Sequence, residues 1–237
     1  MQDFIDFINK FSGYIWLFFE IVAALTGLLL LKKYKLYQTS RYFIYFLLYV
    51  VIFSVMGRYT YWVQDGPLEF LKGTLLQANY WLFTICWSII SVLFFGWYYL
   101  QILKNKKSKS VLKVSLIVFT ITSFMSILIT WPKFFKSNIN SIKIFGAVII
   151  LQCVIYYFLE VLKGDKILHF YKSLTFYISC AILLLWLIQT PMIFFQPYYR
   201  TADMEYVYLR DYINLVIISF MYITYTVGLL VSKPNYD

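Results

Sequence analysis

The stretch GYIWLFFEIVAALTGLLLL, residues 13–31, decides the fold class, because it holds a single charged side chain, Glu20, among predominantly apolar residues. A run of about 20 such residues is long enough for a helix to cross the hydrocarbon core of a bilayer. The run lacks the alternation of apolar and polar residues that a membrane β-strand requires. It therefore predicts a membrane-spanning helix with a carboxylate inside the bilayer.

Six further stretches of the same kind predict an all-α polytopic integral membrane protein, a seven-transmembrane-helix bundle. The 237 residues are 62% hydrophobic and 14% charged, whereas a soluble domain has about 25% charged residues. A helix satisfies its backbone hydrogen bonds within one such segment. The predicted spans of this single membrane domain, 1–237, are 11–31, 42–63, 79–101, 114–132, 142–162, 174–196 and 212–232.

The distribution of the 21 Lys and Arg residues predicts the orientation of the chain. Most of them fall in the loops 32–41, 102–113 and 163–173, and cytoplasmic loops hold the excess of positive charge in membrane proteins. The N-terminus is then outside, the C-terminus is in the cytoplasm, and the expected location is the cell (inner) membrane. The lysines of residues 133–143 oppose this rule. The topology determinants are Lys32, Lys33, Lys104, Lys106 and Lys107.

The basic run KNKKSKS, residues 104–110, is typical of a short loop at a membrane surface. A nucleic-acid interface would need a binding fold or a base-stacking surface, and the sequence shows neither. The predicted partners are the lipid bilayer and another membrane or cytoplasmic signalling protein, with a homo-oligomer left open and no nucleic acid.

The sequence lacks the side chains that several classes of membrane enzyme and photoreceptor require. The only histidine, His169, falls in a loop between spans, whereas a catalytic metal site needs several His or acidic ligands. A retinal Schiff base needs a lysine within a helix, and the last predicted span has none. We expect no catalytic residue, no metal and no cofactor.

Glu20 has a candidate partner in the neighbouring span. A charge at the bilayer centre costs about 2.5–3.5 kcal/mol on insertion scales, so such residues usually pair or line a pathway. Glu20 is predicted to lie about 13 Å, and Arg58 about 8 Å, below the outer ends of adjacent antiparallel helices. We predict a Glu20–Arg58 ion pair. Stability losses of Glu20→Gln and Arg58→Gln that simply add in the double variant would contradict it.

Four more polar residues fall at similar depths: Gln152, Gln189, Thr190 and Asn214. Pro191 follows two of them and is predicted to kink the sixth span. If these side chains converge with Glu20 and Arg58, they form an outward-facing cavity of the kind that binds small ligands. The alternative is hydrogen bonding between helices, at about 0.6 kcal/mol each. For any single residue we favour this structural role.

The segment IYYFLEVLKGDKILHFYKSLTFYISCAILLLWLIQTPMIFFQ, residues 155–196, resembles small bacterial seven-helix membrane proteins and the membrane region of sensor histidine kinases. These proteins have an aromatic helix that ends in Tyr-x-x-x-Glu-Leu-like residues, a short polar loop, a Pro-Leu-Phe-Trp-like start to the sixth helix and a proline near its outer end. Residues 156–162 and 174–177 and Pro191 resemble this pattern. The chain departs from it at Ser173, where a proline would stand, and at Tyr177, where a tryptophan would stand. The resemblance implies a sensor or accessory subunit that acts with a separate signalling protein. It brings no catalytic residues.

Two other classes remain open alternatives. Small-solute transporters built from two three-helix repeats share this length and helix count, but they need a proline in the first helix of each repeat. The stretches 11–31 and 142–162 contain none. A membrane-disrupting defence effector would suit a basic, aromatic-rich bundle. A fourth hypothesis, an intramembrane enzyme acting on lipid, lacks a catalytic set.

Overall fold

The apolar stretches form long helices in the computed structural model of the protein. The structure describes residues 2–131, 133–164, 169–195 and 204–233, while the side chains of residues 2–10, 65 and 204–206 lie outside this description. The predicted span ends at residues 132 and 196 also lie outside the described residues.

Over the described residues the secondary structure is helical, without strands. Single 3₁₀ turns lie at Glu69–Leu71, Leu75–Gln77 and Phe170–Lys172. The helices are α1 Gln2–Leu29, α2 Gln38–Met56, α3 Tyr59–Asp65, α4 Tyr80–Ile102, α5 Lys106–Ile129, α6 Lys133–Lys136, α7 Asn140–Lys163, α8 Leu174–Phe195 and α9 Met204–Val231.

Seven helical segments of the described chain are long and apolar enough to cross a membrane, which confirms the predicted helix count. The second of them, Gln38–Gln64, covers α2 and all of α3 except its last residue. The largest differences are at three helix starts, which come earlier than predicted: α1 at Gln2, α5 at Lys106 and α9 at Met204. Lysine is a good helix former, so basic residues at the edge of an apolar run can extend the helix.

The chain divides into two compact units. Unit 1 consists of Met1–Val51 and Val161–Asp237, and unit 2 consists of Ile52–Glu160. The prediction of one membrane domain over residues 1–237 stays a prediction.

In unit 1 the helices approach each other closely at glycines. A Cβ added at Gly27 of α1 would lie 2.9 Å from Cγ2 of Ile44, and one added at Gly228 of α9 would lie 2.7 Å from Cβ of Tyr177. Small residues at interfaces let membrane helices pack closely, because lipid gives them little hydrophobic drive to associate. These contacts place α1 against α2, and α9 against α8.

The loop after α1 binds the C-terminal end of α9. The Lys33 ammonium donates to the carbonyls of Leu229 and Leu230 at 2.9 and 3.0 Å, and the Tyr34 hydroxyl donates to Leu229 O at 2.9 Å. Tyr34 is fully buried, and its hydroxyl also lies 2.6 Å from Oγ of Ser232. The last carbonyls of a helix have no partner within the helix. This Lys33–Tyr34 contact therefore satisfies groups that α9 itself cannot.

Removing the Tyr34 hydroxyl is expected to weaken this contact. Tyr34→Phe removes the buried partner of the Ser232 hydroxyl and one of the two side-chain donors to the Leu229 carbonyl, so the free energy of unfolding should fall by about 1–2 kcal/mol. The control is Tyr42→Phe, because the Tyr42 hydroxyl takes part in an exposed, long hydrogen bond of 3.4 Å with Gln38. Unfolding in detergent measures both variants, and equal losses would contradict the assignment.

In unit 2 the second span is interrupted between α2 and α3. Gly57 and Arg58 form a turn there, and Nδ2 of Asn79 donates to the freed Gly57 carbonyl at 2.7 Å. A Cβ at Gly57 would lie 2.7 Å from the Phe83 ring, so any larger residue would require that ring to move. The sequence predicted one continuous helix over 42–63, and this break was not expected because the apolar run continues on both sides of it.

Hydrogen bonds of one tyrosine, Tyr59, stabilise the loop between α3 and α4. The Tyr59 hydroxyl donates to the carbonyls of Leu76 and Ala78 at 2.7 and 2.9 Å, and it accepts from Nε1 of Trp81 at 3.2 Å. Within the loop Lys72 pairs with Glu69 at 2.9 Å and lowers the pKa of that carboxyl. The loop is therefore ordered by side chains rather than by a long helix.

Candidate functional site

Glu20 is a buried carboxyl group in the middle of the first span. Nine residues separate it from each end of Phe11–Leu29, which is about 13 Å at the rise of a helix. The residue is 9% exposed. Because charged residues at such depth are costly, they usually bind a partner or line a pathway.

The side chain of Tyr222 on α9 lies beside Glu20, close enough for the two groups to interact electrostatically. Tyr222 is 3% exposed, and its ring lies 5.9 Å from that of Tyr225, which in turn lies 5.0 Å from the ring of Phe43. Both ring pairs are edge to face, a favourable arrangement for aromatic side chains. The carboxyl group is therefore held against an aromatic wall that joins α1, α9 and α2.

Three further polar atoms of α1 and α9 are buried without a hydrogen-bond partner among the described residues: Trp16 Nε1, Ser219 Oγ and Tyr225 OH. Trp16 lies one turn before Glu20 on the same face, and Ser219 lies three residues before Tyr222. Buried polar groups are normally hydrogen-bonded, and each exception needs an explanation. Helices α1 and α9 therefore contain buried hydrogen-bonding groups that the described residues leave unsatisfied.

Of the other predicted polar residues in unit 1, two meet. Gln189 Nε2 donates to Asn214 Oδ1 at 3.3 Å, which joins α8 to α9. Thr190 Oγ1 instead donates to the carbonyl of Trp186, one turn earlier on its own helix. Asn214 precedes Tyr222 by eight residues, or about 12 Å along the axis. The amide pair and the Glu20 site are therefore separate contacts on one helix.

Pro191 lies within α8, which continues from Leu174 to Phe195. The proline therefore does not end the helix. Proline removes one backbone hydrogen bond and crowds the preceding turn. The predicted kink stays a prediction.

The remaining members of the predicted cluster lie in unit 2. Gln152 Nε2 donates to the Tyr156 hydroxyl at 3.2 Å, one turn along the same helix. Arg58 is half-buried at the turn between α2 and α3. The Glu20–Arg58 pair joins residues of different units, so it stays a prediction, as does the convergence of all six residues.

The lysines that were assigned to topology have exposed side chains in both units: Lys32, Lys33, Lys104, Lys106 and Lys107. Lys33 has the additional role of binding the end of α9. This role has no signature in the sequence, because it depends on residues almost 200 positions away. The side of the membrane on which these lysines lie stays a prediction.

A π-helical segment, Thr84–Ser91, interrupts α4 in unit 2. Oγ of Ser91 donates to the Cys86 carbonyl at 3.1 Å, and the hydroxyls of Thr84 and Ser123 are buried without a hydrogen-bond partner among the described residues. Short π segments occur frequently at functional sites. The spacing of apolar residues did not predict this feature, because the whole span is apolar.

Among the described residues, no group of three or more His, Cys, Asp or Glu side chains lies close enough to hold a metal ion. The fold and the site define a polytopic α-helical protein with seven candidate membrane spans and a buried carboxyl group between its first and last spans. Comparison with protein-family models, curated proteins and solved structures found no match.

A double-mutant cycle tests whether Glu20 and Tyr222 are coupled. The losses in unfolding free energy of Glu20→Gln and Tyr222→Phe should fail to add by about 1 kcal/mol, since both remove the same polar interaction between two helices. The matched cycle replaces Tyr222→Phe by Tyr225→Phe, whose hydroxyl has no partner among the described residues, and should be additive. Additivity in both cycles would rule out the coupling.

Proposed function

We propose that this chain is a membrane-embedded sensory or accessory subunit of a bacterial inner membrane, which passes a signal to a separate partner protein and has no catalytic activity of its own. The observation that carries the proposal is Glu20, a carboxyl group buried in mid-span beside Tyr222 on the last span. An ionisable residue inside the bilayer marks a functional site more often than a structural one.

The α1–α9 contact gives this site a route to the protein surface. Glu20 lies beside Tyr222 in the middle of the two helices. Towards their C-terminal ends, Lys33 and Tyr34 in the loop after α1 bind the last turn of α9. A ligand that shifts α9 against α1 at Glu20 therefore moves the loop 30–37 as well. Leu36 in that loop is 89% exposed and offers an apolar contact to a partner.

The experiment places a photo-crosslinking amino acid at Leu36 in living cells. We expect an adduct with a signalling protein, such as a kinase or a response regulator, whose yield changes about fivefold in Glu20→Gln, a typical size for coupling between two sites. The control places the same crosslinker at Phe70, which is 72% exposed in unit 2, and this position should give no such adduct.

Three results would overturn the proposal. An adduct whose yield is the same in wild type and Glu20→Gln would separate Glu20 from signalling. Uptake of labelled solutes into proteoliposomes that contain the pure protein would favour a transporter. Dye leakage from such vesicles together with growth arrest on expression would favour a membrane-disrupting effector.

A further inference from the structure

One face of α5 combines a row of lysines with a row of exposed apolar side chains. Lys106, Lys109 and Lys113 are three and four residues apart, so they lie on one side of the helix. The same spacing continues towards the C-terminal end of α5. The apolar residues that follow on this face are between 53% and 61% exposed: Ile117, Ile121, Phe124 and Leu128.

A different face of α5 packs into unit 2. Leu112, Phe119 and Ser123 are between 0% and 3% exposed, and they follow one another at helical spacing. At 3.6 residues per turn this buried face lies roughly 120° around the helix from the lysine face. Lys106 and Lys113 are exposed and Lys109 is half-buried at the edge of this face, so the lysines lie in line with the exposed apolar side chains.

The positive charge on this face is not neutralised within the described residues. The sequence holds no Asp or Glu between Glu69 and Glu160. Glu160 uses both oxygens to accept from the backbone N–H groups of Lys104 and Asn105, at 2.8 to 3.1 Å. Neither ion pair found among the described residues includes a lysine of α5. An external anion can therefore bind them.

We propose that this face of α5 is a binding site for an anionic phospholipid. Lys106, Lys109 and Lys113 bind the phosphate and headgroup, and an acyl chain lies along Ile117 and Ile121. Lysine side chains extend along apolar surface while their ammonium groups reach the headgroup layer, and basic residues at this position attract anionic lipids. A soluble anion would leave the apolar row without a ligand. The proposal is independent of the signalling role.

The experiment measures which phospholipid stays bound to the purified protein. The protein is reconstituted in equal phosphatidylglycerol and phosphatidylcholine, returned to detergent, and analysed for bound lipid by mass spectrometry. We expect wild type to retain phosphatidylglycerol. The variant Lys106→Gln/Lys109→Gln/Lys113→Gln should retain at most about one tenth of that amount, because each lysine at a membrane surface adds to the attraction for an anionic lipid. The charge-conserving variant with arginine at all three positions should retain it.

The matched control is Lys133→Gln/Lys136→Gln/Lys143→Gln, which removes the same charge from the same unit and should retain phosphatidylglycerol like wild type. If both glutamine variants lose the same amount of bound phosphatidylglycerol, the lipid is attracted by overall positive charge and not by a site on α5, which would contradict the proposal. Unchanged retention in the α5 variant would overturn the proposal outright. Displacement of the lipid by inorganic phosphate at similar concentration would show a soluble-anion site instead.

Discussion

Gly228→Ala is expected to lower the free energy of unfolding by about 1–2 kcal/mol, and Gly228→Leu to prevent folding altogether. The added Cβ would lie 2.7 Å from Cβ of Tyr177 and 3.0 Å from its Cγ. The nearer atom, Cβ, cannot move away by a rotamer change, because it is fixed to the backbone of α8. The two helices would have to separate, and the close packing that holds α9 in unit 1 would be lost.

The control for Gly228 is Gly96→Ala in α4, where the added carbon would meet the end of the Leu116 side chain even more closely. Both substitutions gain about the same helix propensity, roughly 1 kcal/mol. Leu116 can change rotamer and Tyr177 Cβ cannot, so we expect Gly96→Ala to leave stability nearly unchanged. A larger loss of stability in Gly96→Ala than in Gly228→Ala would show that the contact distance determines the cost, and not whether the contacted atom can move. Unfolding in detergent provides the comparison.

The number and approximate positions of the spans were predictable from the sequence, because lipid requires about 20 apolar residues for each crossing. The structure confirms seven such segments. The early start of α5 at Lys106 was less predictable, since the lysines mark the membrane edge but do not end the helix. Hydropathy therefore locates the membrane-embedded part of a helix better than the helix itself.

The interruptions inside the spans were not predictable. The break at Gly57 depends on Asn79, which binds the freed carbonyl from 22 residues away. The π segment of α4 lies in an unbroken apolar run, where an extra residue in one turn changes no hydrophobic pattern. Both features depend on which side chains meet across helices, and periodicity within one helix cannot supply that information.

The candidate site was predictable in part. The isolated charge of Glu20 predicted a buried carboxyl group, and Gln189 and Asn214 meet as expected of polar residues at similar depth, while the convergence of all six residues stays a prediction. Tyr222 was not predicted, because the chain has 23 tyrosines and nothing in the local sequence distinguishes this one. A sequence thus reveals the costly residue more readily than the ordinary one that binds it.

Glu160 joins α7 to the start of α5 in unit 2, and its replacement should have the second large effect. Its two oxygens accept from the backbone N–H groups of Lys104 and Asn105. Asn105 in turn accepts from the Lys107 N–H at 2.9 Å as the N-cap of α5. The first N–H groups of a helix have no partner within it, and a negative charge near them is favourable.

Glu160→Ala is expected to lower the free energy of unfolding by about 2–3 kcal/mol, because hydrogen bonds to a charged group are worth about 1.5–3 kcal/mol each and this group is half-buried. Glu160→Gln keeps the shape and one acceptor oxygen, so its loss should be smaller and should shrink as salt screens the charge. The control is Glu69→Gln, whose carboxylate pairs with Lys72 on the surface and whose removal should leave stability unchanged. If Glu160→Ala behaves like Glu69→Gln, then α5 starts at Lys106 without help from α7, and its first turn is set by Asn105 alone.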